Sequence, residues 1–135
     1  MMYLPDERHF DRPSMEAWIR DITQGGVLCL ACDGNTIVGY LSIETSPFAK
    51  LQATGYVVLG VLQEYQKQSV GTRLLENGIA WSHSRLHRLE LTVIRTNERA
   101  HRLYLKVGFV AEGIRREDLR VGERFIDEIY MGMLT

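Results

Sequence analysis

The segment best suited to ligand binding is a loop that leads from a predicted strand into a predicted helix. The loop ends in Ser69-Val70-Gly71-Thr72, at the helix N-terminus. Unpaired N–H groups and a partial positive charge at that end favour a phosphate group. The loop matches neither G-x-x-x-x-G-K-S/T, because Lys67 precedes the glycine, nor G-x-G-x-x-G. On spacing alone, an ordinary turn between strand and helix is the simpler interpretation.

Two other patterns invite a redox or metal interpretation. Cys29 and Cys32 form a C-x-x-C, but they lie within an apolar, strand-like run, whereas a redox pair lies at a helix N-terminus. A zinc site would need a second cysteine pair, and His83 and His87 flank Ser84 where a zinc protease has Glu. The sequence therefore predicts structural cysteines, surface histidines and no metal site.

The composition indicates an ordinary globular domain. The 135 residues include 16 Lys and Arg against 17 Asp and Glu, and 45% are hydrophobic, which predicts one domain spanning residues 1–135. The net charge of -1 provides no field to attract nucleic acid or anionic lipid. The apolar runs are too short to cross a bilayer, and Asp6, Glu7 and Arg8 lie where a signal peptide would be apolar. We therefore expect a cytoplasmic protein with no nucleic-acid or membrane partner.

Periodicity and turn residues predict the elements that position the loop. They are a helix over Met15–Ile22 capped by Ser14, strands over 27–32 and 36–44 around Asp33-Gly34-Asn35, a loop containing Ser46-Pro47 and Lys50, a strand over 55–62, a helix over 70–83, a strand over 89–93, a helix from Asn97 to Gly108, and strands over 113–121 and 124–134 around Gly122-Glu123. Gly60 predicts a bulge or a close backbone approach. This order predicts an α/β (α+β) fold with a mixed sheet and helices on its faces.

Two segments resemble the GNAT superfamily of N-acetyltransferases. Residues 59–75, LGVLQEYQKQSVGTRLL, resemble its acyl-CoA-binding motif, in which a strand, a Q/R-x-x-G-x-G/A loop and a helix hold the CoA pyrophosphate. Residues 97–113, NERAHRLYLKVGFVAEG, resemble the pattern N-x-x-A-x-x-L-Y-x-K-x-G-F-x-x-E-G. The resemblance extends from about Ser14 to Leu134. It implies a mostly antiparallel central sheet with helices on both faces, and an acetyl-CoA-dependent N-acetyltransferase that acts on a primary amine.

The resemblance also implies roles for individual residues. The backbone of Leu59 and Val61 would pair with the pantetheine arm of CoA, and Asn97 would cap a helix and contact the pantetheine or the substrate. Tyr104 would lie near the CoA sulfur and protonate the departing thiolate, although core packing is an alternative role for it. N–H groups that bind the pyrophosphate would come from Gln66, Lys67, Gln68, Ser69, Val70, Gly71 and Thr72.

Acyl transfer from a thioester to an amine needs positioning, a donor that polarises the carbonyl and management of protons. By resemblance, the donor is the Val61 N–H group. For the base that deprotonates the incoming ammonium group, Glu44, Tyr56 and an ordered water molecule all remain open.

The chain departs from the family pattern in two places. Ser69 replaces the first glycine of the loop and Gln66-Lys67 replace Arg-Gly, so Ser69 must avoid a positive φ or accept strain of about 1 kcal/mol. Lys67 would add charge near the phosphates. The strand and helix that usually precede the first predicted helix are not recognised. Either the fold is N-terminally shortened or the start of the chain is misassigned, and a homodimer is expected in which the partner protects the exposed strand edge.

The acceptor is not identified by the sequence. The C-terminal pattern resembles a branch that contains ribosomal-protein, amino-acid and polyamine acetyltransferases. Arginines on the final hairpin would favour an acceptor with a carboxylate, and Glu117, Asp118, Asp127 and Glu128 a cationic one, but alternating charges on a hairpin indicate a solvated face. The alternative function is a non-catalytic module that binds acyl-CoA, favoured by Ser69 and the short N-terminus.

Overall fold

The computed structural model describes residues 12–46 and 53–135, which form a six-stranded sheet and three helices. The helices are α1 (Arg12–Thr23), α2 (Val70–Ser82) and α3 (Glu98–Val107), and the strands are β1 (Val27–Asp33), β2 (Thr36–Thr45), β3 (Thr54–Val61), β4 (Arg88–Ile94), β5 (Val110–Val121) and β6 (Arg124–Leu134).

The sheet has the strand order β1-β2-β3-β4-β6-β5. Only the β3–β4 pair is parallel, and the other four pairs are antiparallel. Helix α1 packs on one face, where Trp18 meets Tyr40 edge to face with ring centroids 6.1 Å apart. Helix α2 packs on the other face, since a Cβ at Gly78 would lie 2.7 Å from the Leu41 side chain. The predicted mixed, mostly antiparallel sheet with helices on both faces is confirmed.

The core lies between the sheet and helices α2 and α3. Alternating side chains of β4 follow the period of two that a strand requires: Leu89, Leu91 and Val93 are buried on this side, and Arg88, Glu90 and Thr92 alternate with them. The β6 residues opposite the buried trio are Met133, Met131 and Ile129, and these are also part of the core or packed against it. One face of β4 and β6 is thus apolar, and the other is left for polar chemistry.

Most predicted boundaries agree with the structure within a few residues, but Ser14 is not the cap of α1. The helix already includes Arg12 and Pro13, because proline in a first turn has the helical φ and its missing N–H group is not needed there. Both predicted hairpins form, with Gly34 and Gly122 at positive φ in their turns. Pro47 and Lys50 of the predicted loop lie outside the described residues.

Cys29 occupies a structural position and the two histidines lie on the surface, as predicted, whereas Cys32 is exposed. Both cysteines are free thiols on β1; Cys29 packs against the core, and burial raises the pKa of its thiol. His83 and His87 are exposed. In the described part of the chain, no set of three or more His, Cys, Asp and Glu side chains is arranged to bind a metal ion, and no helix is long and apolar enough to cross a membrane.

A gap opens in the sheet where β3 and β4 diverge. Their pairing is limited to Thr54–Tyr56 of β3 against Arg88–Glu90 of β4, and residues 57–61 continue along β2 alone. Beyond Glu90, β4 continues with β6. One edge of residues 57–61 is therefore without a sheet partner, in the middle of the molecule.

Candidate active site

A cavity of about 430 Å³ occupies this gap. Its walls come from all three helices and from every strand except β1, so residues far apart in the sequence meet there. The predicted site residues on its lining are Glu44, Tyr56, Leu59, Val61, Gln66, Ser69, Gly71, Thr72, Asn97 and Tyr104. Of the remaining predicted residues, Lys67 and Gln68 are exposed outside the lining, and Val70 packs against the core.

The strand edge along the gap carries backbone donors. The N–H group of Leu62 donates to the Val38 carbonyl oxygen across β2, with an N···O distance of 2.9 Å. Because backbone groups of consecutive residues in a strand point to opposite edges, the N–H groups of Val61 and Leu59 point away from β2 and into the gap. They are the two donors that the sequence analysis expected at this edge.

The N-terminus of α2 provides a second set of donors. Ser69 is its N-cap, so the N–H groups of Val70, Gly71 and Thr72 have no acceptor within the helix. A Cβ at Gly71 would lie 3.1 Å from Leu103 Cδ2 and 3.5 Å from Leu59 Cδ2, so glycine lets this helix approach both α3 and the gap closely. Gln66 and Gln68 donate their N–H groups to the Gln63 and Tyr65 carbonyl oxygens, which leaves the helical turn as the stronger anion site.

Ser69 adopts the strained backbone conformation that its position implies. Its φ is 63° and its ψ is 16°, in the left-handed region, and its hydroxyl does not cap the helix. Glycine at this position would have no steric penalty, whereas a side chain costs about 1–2 kcal/mol. The loop therefore keeps the shape that the family pattern builds with glycine, at a cost in stability.

Replacing Ser69 with Gly is expected to raise the free energy of unfolding by about 0.5–1 kcal/mol, because the relief of strain exceeds the added entropy of the unfolded chain. Urea denaturation measures the change. Ser69→Ala is the control, since it removes the hydroxyl and keeps a Cβ at positive φ; equal stabilisation by both variants would contradict the strain argument.

Gln66 connects the strand end to α3. Its Nε2 donates to the Val61 carbonyl oxygen at 3.2 Å, and its Oε1 accepts from Arg99 Nη1 at 3.2 Å. Arg99 lines the cavity beside the α2 N-terminus. Arg99 was not predicted as a site residue; its place in the first turn of α3, two residues after the cap Asn97, was the only signal.

Tyr104 is held rigidly in the wall of the cavity. Its side chain is buried and meets Phe109 edge to face, with ring centroids 6.0 Å apart and planes at 68°. Asn97 caps the same helix by accepting from the Ala100 N–H group at 3.2 Å, as predicted. Burial, with a smaller contribution from nearby Tyr56, raises the pKa of Tyr104 to about 12. The phenol therefore stays protonated near neutral pH, as a proton donor must.

A buried carboxyl group, Glu128 of β6, also lines the cavity. The prediction that Glu128 lies on a solvated face of the hairpin is wrong, because Glu128 is only 3% exposed. The alternation of Ile129, Met131 and Met133 puts those side chains on the core face of β6 and turns Glu128 to the opposite, cavity face. By contrast, Glu44 is exposed at the cavity rim.

The gap thus combines strand N–H groups, a helix N-terminus and a neutral phenol. This combination can bind an elongated ligand that ends in phosphates, polarise a carbonyl group at the gap and protonate a leaving group.

The comparison with protein families agrees with this geometry. Residues 2–109 match the family model described as the acetyltransferase (GNAT) family. The chain belongs to the acetyltransferase (GNAT) family. The acyltransferase chemistry implied by the two sequence motifs is therefore that of its family.

Relatives of this acetyltransferase share most of its length. It is 28% identical over 128 residues to the L-amino acid N-acetyltransferase AaaT of Escherichia coli (strain K12), covering 93% of this chain and 72% of the relative. An acetyltransferase of the GNAT family from Streptococcus pneumoniae has a TM-score of 0.87 and 30% identity, covering 91% of this chain and 76% of that one. The structure of yncA from Salmonella typhimurium with its cofactor acetyl-CoA gives a TM-score of 0.89 at 18% identity, covering 97% and 78%.

Proposed function

We propose that this acetyltransferase moves an acetyl group from acetyl-CoA to a primary amine by direct attack in a ternary complex. The observation that carries the proposal is the gap between β3 and β4, where the Tyr104 phenol faces a cavity bordered by the Val61 and Leu59 N–H groups. The names of AaaT, an L-amino acid N-acetyltransferase, and of yncA with acetyl-CoA support it.

The shape and donors of the cavity fit acetyl-CoA. The unpaired edge of residues 57–61 offers the backbone of Leu59 and Val61 to the pantetheine arm, which would lie as an extra strand. The α2 N-terminus offers the N–H groups of its first turn to the pyrophosphate, and the glycine at position 71 lets this turn pack closely beside the gap. Lys67 and Arg99 supply positive charge at this end.

Catalysis then requires three tasks of the protein. A bound acetyl-CoA would supply the thioester that the amine attacks. The Val61 N–H group donates to the thioester carbonyl oxygen, on which negative charge develops. The Tyr104 hydroxyl donates its proton to the departing sulfur. Glu44 and Tyr56 line the cavity and, with an ordered water molecule, are the predicted bases for the ammonium group.

The domain proposal is that residues 1–135 act as one N-acetyltransferase domain and assemble as a homodimer. Strand β1 forms one edge of the sheet, and beside it Leu30 and Ile37 are 51% and 55% exposed. An edge strand with exposed apolar side chains favours association with a second copy. Light scattering on the purified chain measures the mass directly.

Calorimetry and a turnover assay test the function together. Acetyl-CoA is titrated into the purified chain, with desulfo-CoA and S-acetylpantetheine as comparison ligands. Release of free CoA thiol is then followed with L-amino acids, spermidine and a peptide with a free N-terminus. Binding with turnover of at least one amine supports the enzyme. Binding without turnover favours the non-catalytic acyl-CoA module, and no binding contradicts both functions.

Replacing Arg99 with Ala is expected to weaken acetyl-CoA binding by about 10-fold or more, since a hydrogen bond from a charged group to phosphate contributes about 1.5–3 kcal/mol. The KM for S-acetylpantetheine, which lacks the pyrophosphate, should change little. Arg102→Ala is the matched control, because Arg102 is exposed on the same helix and does not line the cavity. Equal losses of affinity for acetyl-CoA and S-acetylpantetheine would show that Arg99 does not contact the pyrophosphate.

A further inference from the structure

Three polar side chains form a continuous line across the gap. The Tyr56 hydroxyl on β3 and the Thr92 Oγ1 on β4 are hydrogen-bonded at 2.9 Å. Thr92 pairs with Tyr130 and Ile94 with Glu128, so Thr92 and Glu128 are diagonal neighbours on one face of β4 and β6, and the Thr92 hydroxyl acts to lower the pKa of Glu128. All three residues line the cavity. Either hydroxyl can be the donor in the Tyr56–Thr92 bond; because Thr92 has one hydroxyl proton, the Tyr56 hydroxyl is the donor whenever Thr92 points its proton at Glu128.

The end of this line is a carboxyl group with an unusual environment. Asp118 on β5 lies close enough to raise the pKa of Glu128, and Arg115, which pairs with Glu128 across the two strands, is 3.7 Å from Asp118. Tyr130, the neighbour of Glu128 on the same face of β6, lies under the Arg115 guanidinium at 4.3 Å. Burial, reinforced by Asp118 and partly opposed by the Thr92 hydroxyl, raises the pKa of Glu128.

Asp118 reaches Glu128 because β5 bulges. The register moves from Arg115 opposite Glu128 to Leu119 opposite Ile126, so three residues of β5 face Asp127 alone. Asp127 anchors the bulge, since its Oδ1 accepts from the Glu117 N–H group at 2.8 Å and its Oδ2 pairs with Arg95 at 3.0 Å. The bulge is therefore braced by Asp127 of β6 and by Arg95, the residue that follows β4, and it holds a second carboxyl group, partly open to solvent, near the first.

We propose that Glu128 is the terminal proton acceptor of the acetyl transfer, and that Tyr56 and Thr92 conduct the proton of the acceptor ammonium group to it. This inference rests on the proposed function. The ammonium nitrogen gives a proton to the Tyr56 oxygen, the Tyr56 proton moves to Thr92 Oγ1, and the Thr92 proton moves to the Glu128 carboxylate. Each hydroxyl gains one proton as it loses one, so the net change is a neutral amine and a protonated Glu128.

The route continues to solvent through the carboxyl pair. The Asp118 side chain is 35% exposed, so the proton on Glu128 can leave through Asp118 and restore the carboxylate for the next turnover. A raised pKa suits this role, because a base works best when its pKa lies near the working pH. Glu44 is exposed at the cavity rim, where water competes with the amine for its carboxylate. The buried route through Thr92 therefore accounts better for a base that is held in a fixed position.

Thr92→Val and Thr92→Ser test the relay with little change in shape. Valine removes the hydroxyl and is expected to lower kcat by about 100-fold or more, with little change in KM for the amine from the panel above that the wild type acetylates best. Serine keeps the hydroxyl and should restore turnover. Glu128→Gln should lose turnover to the same extent as Thr92→Val, whereas Glu44→Gln should lose much less. Glu123→Gln, on the hairpin turn, controls for the loss of one acidic charge.

Titration of the Glu128 carboxyl carbon by NMR provides a readout that needs no substrate. The wild type should titrate above the ordinary range of a glutamate, Asp118→Asn should lower that pKa, and Thr92→Val should raise it. In turnover, kcat should rise with pH through the pKa of Glu128 as the carboxylate forms. Thr92→Val should remove that dependence along with the rate.

Three results would overturn the relay: wild-type turnover in Thr92→Val, no rescue by Thr92→Ser, or an ordinary pKa for Glu128. Failure of the relay is distinguishable from failure of the proposed function. If the wild type binds acetyl-CoA and acetylates an amine while Thr92→Val does the same, only the relay is wrong. If no amine in the panel is acetylated, both the enzyme proposal and the relay are contradicted, whatever pKa is measured for Glu128.

Discussion

Replacing Tyr104 with Phe is expected to lower kcat by about 100- to 10,000-fold, the usual contribution of a positioned general acid. The ring packing against Phe109 would remain, so the fold and the Kd for acetyl-CoA should change little. A loss confined to kcat indicates an interaction made in the transition state, whereas a core role would appear in stability. The measurement is kcat and Kd on the same preparation, by thiol release and calorimetry.

The pH profile provides an independent check on Tyr104. Since its pKa is raised to about 12, the phenol stays protonated below that value, and kcat of the wild type should not fall through loss of this acid between neutrality and about pH 10. Tyr65→Phe is the matched control, because Tyr65 bonds Asp33 on the surface. Full activity in Tyr104→Phe would assign Tyr104 to core packing and remove it from the mechanism.

Replacing Phe109 with Ala is expected to lower the free energy of unfolding by about 3–5 kcal/mol. Phe109 is 2% exposed and is the largest of the fully buried side chains, so truncation leaves a cavity beneath Tyr104. Since an ordinary domain has only about 5–15 kcal/mol of stability, the variant should approach unfolding at moderate temperature. Urea denaturation with and without acetyl-CoA measures the loss.

Two variants separate the packing effect from the general effect of truncation. Phe109→Leu fills most of the space and should cost about 1.5 kcal/mol or less, yet it removes the ring that orients Tyr104, so kcat should fall more than stability suggests. Leu105→Ala removes a side chain that is 46% exposed on α3 and should cost about 1 kcal/mol or less. An equal cost for Phe109→Ala and Leu105→Ala would contradict the proposed role of this contact.

Local sequence signals predicted most of the secondary structure because they depend on near neighbours. Asn97 caps α3 and Gly108 ends it at a φ of 114°, and both act within one turn of the helix. The exception, Ser14, shows the limit of such signals. Serine is a good cap in isolation, but Pro13 fits the first turn and the helix begins earlier.

The loop of the candidate site was also predictable in part. The family pattern located the α2 N-terminus and implied the conflict at Ser69, and the structure shows that the backbone adopts the positive φ. Gly60 lies in close approach to the Tyr40 ring without a bulge. The sequence could not predict which N–H groups of the loop are free to bind a phosphate. The N–H groups of Gln66 and Gln68 already donate to carbonyl oxygens within the loop.

The sequence by itself determined the order of the elements, the strand alternation, the helix caps and the acetyltransferase motifs, since each depends on residues within a few positions of one another. Only the tertiary structure decided where β3 and β4 separate and which side chains face that gap. Thr92 and Glu128 are 36 residues or more from Tyr56 in the chain, and the bulge that brings Asp118 to Glu128 depends on the pairing register of β5 with β6. Register is a property of the whole sheet, so hairpin charges that look equivalent in the sequence divide into a solvated set and the buried Glu128 only when the sheet is assembled.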